Sequence, residues 1–405
     1  MHLRARTVLL VSAALAVAAS SAAPALAAPG PALSHAATGD QSLTWSIVPS
    51  PNANAINNVL SGVSCASASD CTAVGWHVHT TKGPSRTLIE SWSGTTWSIV
   101  PSRNPRSVSS LNDVSCVSAS DCTAVGSDTG AGIASKTLVE SWNGTTWTVV
   151  PSPNAASHRQ DTNDLNGVSC VSASNCTAVG SYMTRTGHPR TLIESWNGTT
   201  WTIVPSPNPG PATSGLGSVS CTSATACTAV GSYLMRKGGG RVVVTTIVES
   251  WNGTTWTIVP SPNPGPAVSA LQGVSCATAT ACTAVGYSQT KTRALSSTLI
   301  ESWDGTTWSV VSSPLVAGRL SRVSCTSVTA CTAVGFAASG TLIESWDGTT
   351  WSVVSSPSKG SGSSLADVSC LPAATCTAVG AYISSVFPHP DKTLIEAGNP
   401  SSSQR

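Results

Sequence analysis

The octapeptide ESWNGTTW at 140–147 recurs unchanged at 194–201 and 249–256, with close variants at 90–97 (ESWSGTTW) and at 301–308 and 344–351 (both ESWDGTTW). A second unit, two cysteines five residues apart followed by Thr-Ala-Val-Gly, occurs seven times, opening at Cys65, Cys116, Cys170, Cys221, Cys276, Cys325 and Cys370. The mismatch between six copies and seven decides the fold. Successive leading cysteines lie 51, 54, 51, 55, 49 and 45 residues apart, a period that suits one four-stranded unit of a repeat protein.

In the third unit, LNGVSC (165–170) reads as strand A and CTAVGSY (176–182) as strand B, with VSASN between them as a turn. TLIESW (191–196) is strand C. Asn197-Gly198 makes a hairpin turn that favours positive φ, and TTWTIVPSP (199–207) is strand D. Prolines cannot donate to a ladder, which puts strand D at an exposed edge. The last unit reaches TLIEAG (393–398) and lacks a D strand, while SLTWSIVPSP (42–51) is a D strand with no unit before it. The expectation is an all-β, seven-bladed propeller in which the N-terminal strand completes the C-terminal blade.

Residues 1–27 have Arg4 and Arg6, an apolar run and the small-residue site Ala25-Leu26-Ala27, the pattern of a cleaved secretory signal. Residues 28–41 then read as a disordered linker, 42–398 as the propeller and 399–405 as a disordered tail. No second run approaches membrane-spanning length, and the chain is expected to be extracellular or cell-wall associated. In an exported chain, fourteen cysteines imply disulfides rather than metal, since five-residue spacing without recurrent histidine does not suit zinc. Each pair spans an A–B turn and faces across adjacent strands. The expected bonds are Cys65–Cys71, Cys116–Cys122, Cys170–Cys176, Cys221–Cys227, Cys276–Cys282, Cys325–Cys331 and Cys370–Cys376.

The hairpin Ser302-Trp303-Asp304-Gly305-Thr306-Thr307-Trp308 resembles the Asp-box, S-x-D-x-G-x-x-W, of sialidase-like propellers, one residue short between Asp and Gly. Three copies carry Asn for Asp and one carries Ser. In that family the motif is a structural turn on the C–D hairpin, so the resemblance implies the fold and not the chemistry. The whole unit, cysteine pair included, also resembles the repeats of secreted bacterial propellers.

No nucleophile elbow, HExxH, P-loop or dinucleotide fingerprint is present. One glutamate per unit stands mid-strand C (Glu90, Glu140, Glu194, Glu249, Glu301, Glu344, Glu396), and identical placement argues for a repeated structural hydrogen bond. His77-x-His79 reads as solvated, and neither metal nor cofactor is expected. The repeat breaks in the B–C loops, from five residues (336–340) to fourteen (232–245), and in the D–A loops. Apart from Arg4, Arg6 and Arg405, all seventeen remaining Lys and Arg read as lying in or beside these loops, Arg322 among them. Asp70, Asp121, Asp304 and Asp347 fall on the opposite face.

The sequence therefore suggests a secreted, monomeric, non-enzymatic binding propeller. Its expected partner is an anionic polysaccharide, cell-wall polymer or extracellular protein; nucleic acid is not expected. The candidate ligand-binding residues are Arg86, Arg190, Arg241, Arg293 and Lys392, with Trp76, Tyr182, Tyr233, Tyr287 and Tyr382 at the loop starts. The alternative is a sialidase-like glycoside hydrolase or lyase, which requires unique carboxylates converging near the axis of the loop face.

Overall fold

A computed structural model describes residues 43–53, 55–80, 83–130, 134–156, 161–210, 213–291, 295–314, 316–372, 375–386 and 390–401. The leader, the linker and Arg293 lie outside the described residues. Apart from a three-residue 3-10 turn at Gly238–Gly240, the regular structure described is β-strand. No helix among the described residues is long and apolar enough to cross a membrane.

The third unit shows how each sheet is built. Strands Asn163–Ser172, Asn175–Met183, Pro189–Trp196 and Trp201–Ile203 pair in sequence order, every neighbour antiparallel. The first two strands run further than the cysteine spacing suggests and leave only Ala173-Ser174 as the turn, with Cys170 directly opposite Cys176. All seven expected disulfides are formed. Gly180 closes the Thr-Ala-Val-Gly signature because a Cβ there would stand 1.9 Å from the Asp164 carbonyl oxygen. Only glycine lets the first two strands approach so closely.

The fourth strand is shorter than expected. It ends at Ile203, one further bond joining Val204 N to the Ile193 carbonyl oxygen (2.9 Å). Beyond it the Pro-Ser-Pro-Asn run replaces the ladder with side-chain bonds. Asn208 Oδ1 accepts from Thr191 N (3.1 Å), and the Ser206 hydroxyl bonds the Thr191 hydroxyl (2.7 Å) and donates to Glu249 of the next unit (2.9 Å). Proline has no N–H to give, so side chains take over where the backbone cannot continue.

Strand Leu43–Ile47 pairs antiparallel with the last strand, Asp391–Pro400, in the register Trp45 opposite Gly398. Leu43 lies opposite Pro400, so that strand includes two residues of the tail expected to begin at 399.

Packing between units follows one rule. The Val of Ala-Val-Gly and the Ile or Val of strand C pack against the next unit's Leu-x-x-Val segment and tryptophan. Val179 and Ile193, for example, meet Leu216, Val219 and Trp256. By the same rule Val379 and Ile395 of the last unit pack against Leu60, Val63 and Trp97 of the first.

Candidate functional site

In each first strand the leucine and the valine three residues on are both buried, as with Leu60 and Val63. Strict alternation cannot bury both, and the ladder shifts register between them, for example between Leu60 and Gly62 and between Leu320 and Arg322. The bulged residues Ser61, Asn112, Asn166, Gly217, Gln272, Ser321 and Ala366 converge on one cavity of about 460 Å³, whose wall also includes Gly215 and Ser232 near the start of a first strand and the end of a second. These positions break the repeat inside the strands, between segments that hardly change.

The residue after each bulge is Gly62, Asp113, Gly167, Ser218, Gly273, Arg322 or Asp367. Arg322 is no loop residue, contrary to the sequence reading; it lies in strand Gly318–Ser327. Its guanidinium spans the cavity, Nη1 donating to the Gln272 carbonyl (2.6 Å) and Nη2 to those of Gly217 (3.0 Å) and Asn166 (3.2 Å). One side chain thus ties four units together.

Asp113 and Asp367 are the unique carboxylates of this region. Asp113 Oδ1 accepts from Val114 N (2.8 Å) and Oδ2 from Val168 N (2.9 Å). Asp367 Oδ1 accepts from Val368 N (2.8 Å) and Oδ2 from Val63 N (2.8 Å). Each carboxylate therefore braces its own strand and that of a neighbouring unit. Burial pushes both pKa values up, and the charge of Asp113 raises Asp367 further, while Arg322 and the amides pull back. The sequence reading missed this cluster, although the three-residue spacing of buried Leu and Val was visible as a bulge signature.

The predicted loop residues are placed as follows. The second and third strands continue well into the supposed B–C loops: Phe336 pairs with Thr341 and Arg236 with Val242, leaving Ala338-Ser339 and Lys237–Arg241 as the connections. Threonine- and valine-rich ends sustain the ladder there. Tyr182 consequently pairs with Arg190, Tyr382 with Lys392, and Trp76 with Thr87. Tyr182, Tyr233 and Tyr382 pack against the buried clusters. Arg319 lies 4.0 Å over the Tyr287 ring and the Lys359 ammonium 4.9 Å over that of Tyr382.

Three of the candidate arginines grip the neighbouring D–A loop. Arg86 donates to the Arg106 carbonyl (3.0 Å), Arg241 to that of Pro266 (3.1 Å) and Arg190 to that of Gly210. Arg106 is paired with Asp128 at 3.2 Å. Arg103, Arg185 and Lys237 are exposed on these loops, and Arg236 is exposed at the end of the strand that leads into one of them.

The mid-strand glutamates are fully buried. Six of them accept a hydroxyl from the preceding unit, as Ser50 gives to Glu90 (2.8 Å) and Ser356 to Glu396 (2.8 Å). At Glu344 of the sixth unit, Ser313 of the preceding unit donates instead to the Pro314 carbonyl (3.3 Å). Neither Glu344 oxygen has a partner at full hydrogen-bond distance among the described residues, although Ser313 and Thr298 lie near enough to oppose the effect of burial. Burial pushes Glu140 and Glu194 up to about 7 and Glu90 and Glu249 up to about 8, the serine hydroxyl opposing it.

No family model matches the chain, and no curated protein matches it. Solved structures do. One described as YCF48 bound to D1 peptide superposes with a TM-score of 0.54 at 11% identity, covering 89% of this chain and 96% of that one. Virginiamycin B lyase from Staphylococcus aureus gives 0.53 at 9% identity, covering 88% and 99%. Both are β-propeller proteins, and at these identities the likeness is one of fold. The chain has an all-β, propeller-type fold assembled from sequence repeats.

Proposed function

We propose that the chain is a seven-bladed propeller, closed by its N-terminal strand, that acts outside the cell as a non-enzymatic binding protein for an anionic polymer or protein surface. The ring reading is supported by the Trp45–Gly398 register and by the packing of Val379 and Ile395 on the first unit. Export is supported by the leader-like N-terminus and by seven disulfides.

The observation that carries the binding reading is the gathering of cations on and beside the loops that break the repeat, with exposed Arg103, Arg185, Arg236 and Lys237 among them. The hydrolase alternative has its best support in Asp113 and Asp367, yet all four of their oxygens already accept backbone amides, which suits bracing better than proton transfer. One neighbour's description includes a bound peptide and another's a lyase, so a binding role and an enzymatic one both have precedent on the fold.

The test is retention on an immobilised anionic polysaccharide. The triple variant Arg185→Gln, Arg236→Gln, Lys237→Gln should elute at markedly lower salt than the wild type. Thr202→Glu, Thr257→Glu and Ser309→Glu change net charge by the same amount on exposed outer strands and should leave retention nearly unchanged. Equal loss in both variants would reduce the effect to net charge and overturn the reading.

A further inference from the structure

On the side of the Asn-Gly hairpins the interface between the second and third units opens into a cleft of about 320 Å³, a size within reach of small-ligand pockets. Its lining includes Asp121, Ser141, Trp142, Asn143, Ala173 and Trp196. Both tryptophans are half-buried. Their indole nitrogens donate to the Ala119 and Ala173 carbonyls, each at 3.1 Å, which fixes the rings before any ligand arrives. Asn143 commits its Oδ1 to Thr145 N (3.0 Å) and Thr146 N (2.9 Å), leaving its amide donors uncommitted. The Asp121 carboxylate has no hydrogen-bonding or ionic partner among the described residues, and burial alone raises its pKa.

The corresponding cleft between the fifth and sixth units is a built-in comparison. There Ala281 stands where Asp121 does, Val328 replaces Ala173, and the cavity shrinks to about 80 Å³. The indole of Trp346 still bonds the Val328 carbonyl at 3.3 Å, so the tryptophan latch survives the larger side chain. The latch and the core need neither the open volume nor the carboxylate. A structural role therefore accounts for the tryptophans and leaves Asp121 and the space beside it unexplained.

We infer that the Asp121–Trp142–Trp196 cleft is a binding site for a neutral pyranoside, separate from the cationic loop face. A sugar ring has an apolar C–H face, which an immobilised indole covers, and vicinal hydroxyls, which a carboxylate accepts in pairs. Amide donors at Asn143 and the Ser141 hydroxyl suit the ring oxygen and the remaining hydroxyl oxygens. A free carboxylate disfavours an anionic sugar, so this ligand class differs from that of the loop face.

The test uses the full chain and three probes, the methyl β-glycosides of glucose, galactose and N-acetylglucosamine, by saturation-transfer NMR. At least one should receive saturation, strongest on one face of its C–H protons. Asp121→Asn should weaken that probe roughly tenfold or more, since one charge-assisted contact is lost. Ala173→Val, which copies the residue of the closed cleft, should abolish transfer while leaving the melting temperature unchanged. The inference is overturned if none of the probes receives saturation from the wild type. It is overturned equally if Asp121→Asn binds as the wild type does, whatever Ala173→Val does.

Discussion

Arg322 illustrates what a single residue does when it departs from the repeat. Glycine occupies three of the seven equivalent positions, and a Cβ at Gly273 would stand 2.7 Å from Arg322 Cα, so small neighbours make room for the large ones. The guanidinium then satisfies carbonyls of three other units that the bulges have removed from the ladder. Arg322→Ala leaves those carbonyls without their donor and removes the countercharge from Asp113 and Asp367. We expect a loss of about 3 kcal/mol, read as a fall in the denaturant midpoint. Arg322→Lys should recover only part of it, because an ammonium lacks the planar fork that reaches three carbonyls at once. An Arg322→Ala protein as stable as the wild type would show that water replaces the guanidinium without loss.

At the scale of the strand, the buried glutamates couple six of the seven third strands to the preceding unit through serine. Their pKa values rise from an ordinary 4.5 to about 7 or 8, so the folded protein binds protons that the unfolded chain has released. This stability is complete below about pH 4.5 and is lost as pH rises through 7 to 8. The melting temperature should therefore fall between pH 5 and pH 8, the reverse of a domain held by ionised carboxylates. Glu194→Gln, which mimics the protonated acid, should flatten that slope and stabilise the protein at pH 8 by roughly 1–3 kcal/mol, with little effect at pH 5. A melting temperature that climbs over that range would mean that the glutamates are ionised when folded. The existence of one structural glutamate per unit was legible from its repetition. Its partner was not, because the serine belongs to a proline-bounded run that reads as strand and in fact serves as a side-chain latch between units.

For the molecule as a whole, the proposed closure depends on residues 43–47. Deleting residues 41–52 removes the ladder to Asp391–Pro400, the packing of Leu43, Trp45 and Ile47, and the Ser50 hydroxyl that joins Glu90 to Thr393. The truncated chain should lose several kcal/mol and associate through its bared edge, as followed by calorimetry and sedimentation. A monomer melting like the full chain would refute closure. The strand content, the four-strand units, the cysteine pairs and the hairpin turns were set by sequence alone, since each, the split last unit apart, rests on contacts within about fifty residues and is repeated often enough to average out local ambiguity. The Asp113–Arg322–Asp367 cluster and the inter-unit clefts were decided only in three dimensions. Asp113, Arg322 and Asp367 come from three different units, and Asp121 meets Trp196 across an interface. Period-two patterning describes which side of a strand a residue occupies; it carries no information on which neighbouring unit that side will face.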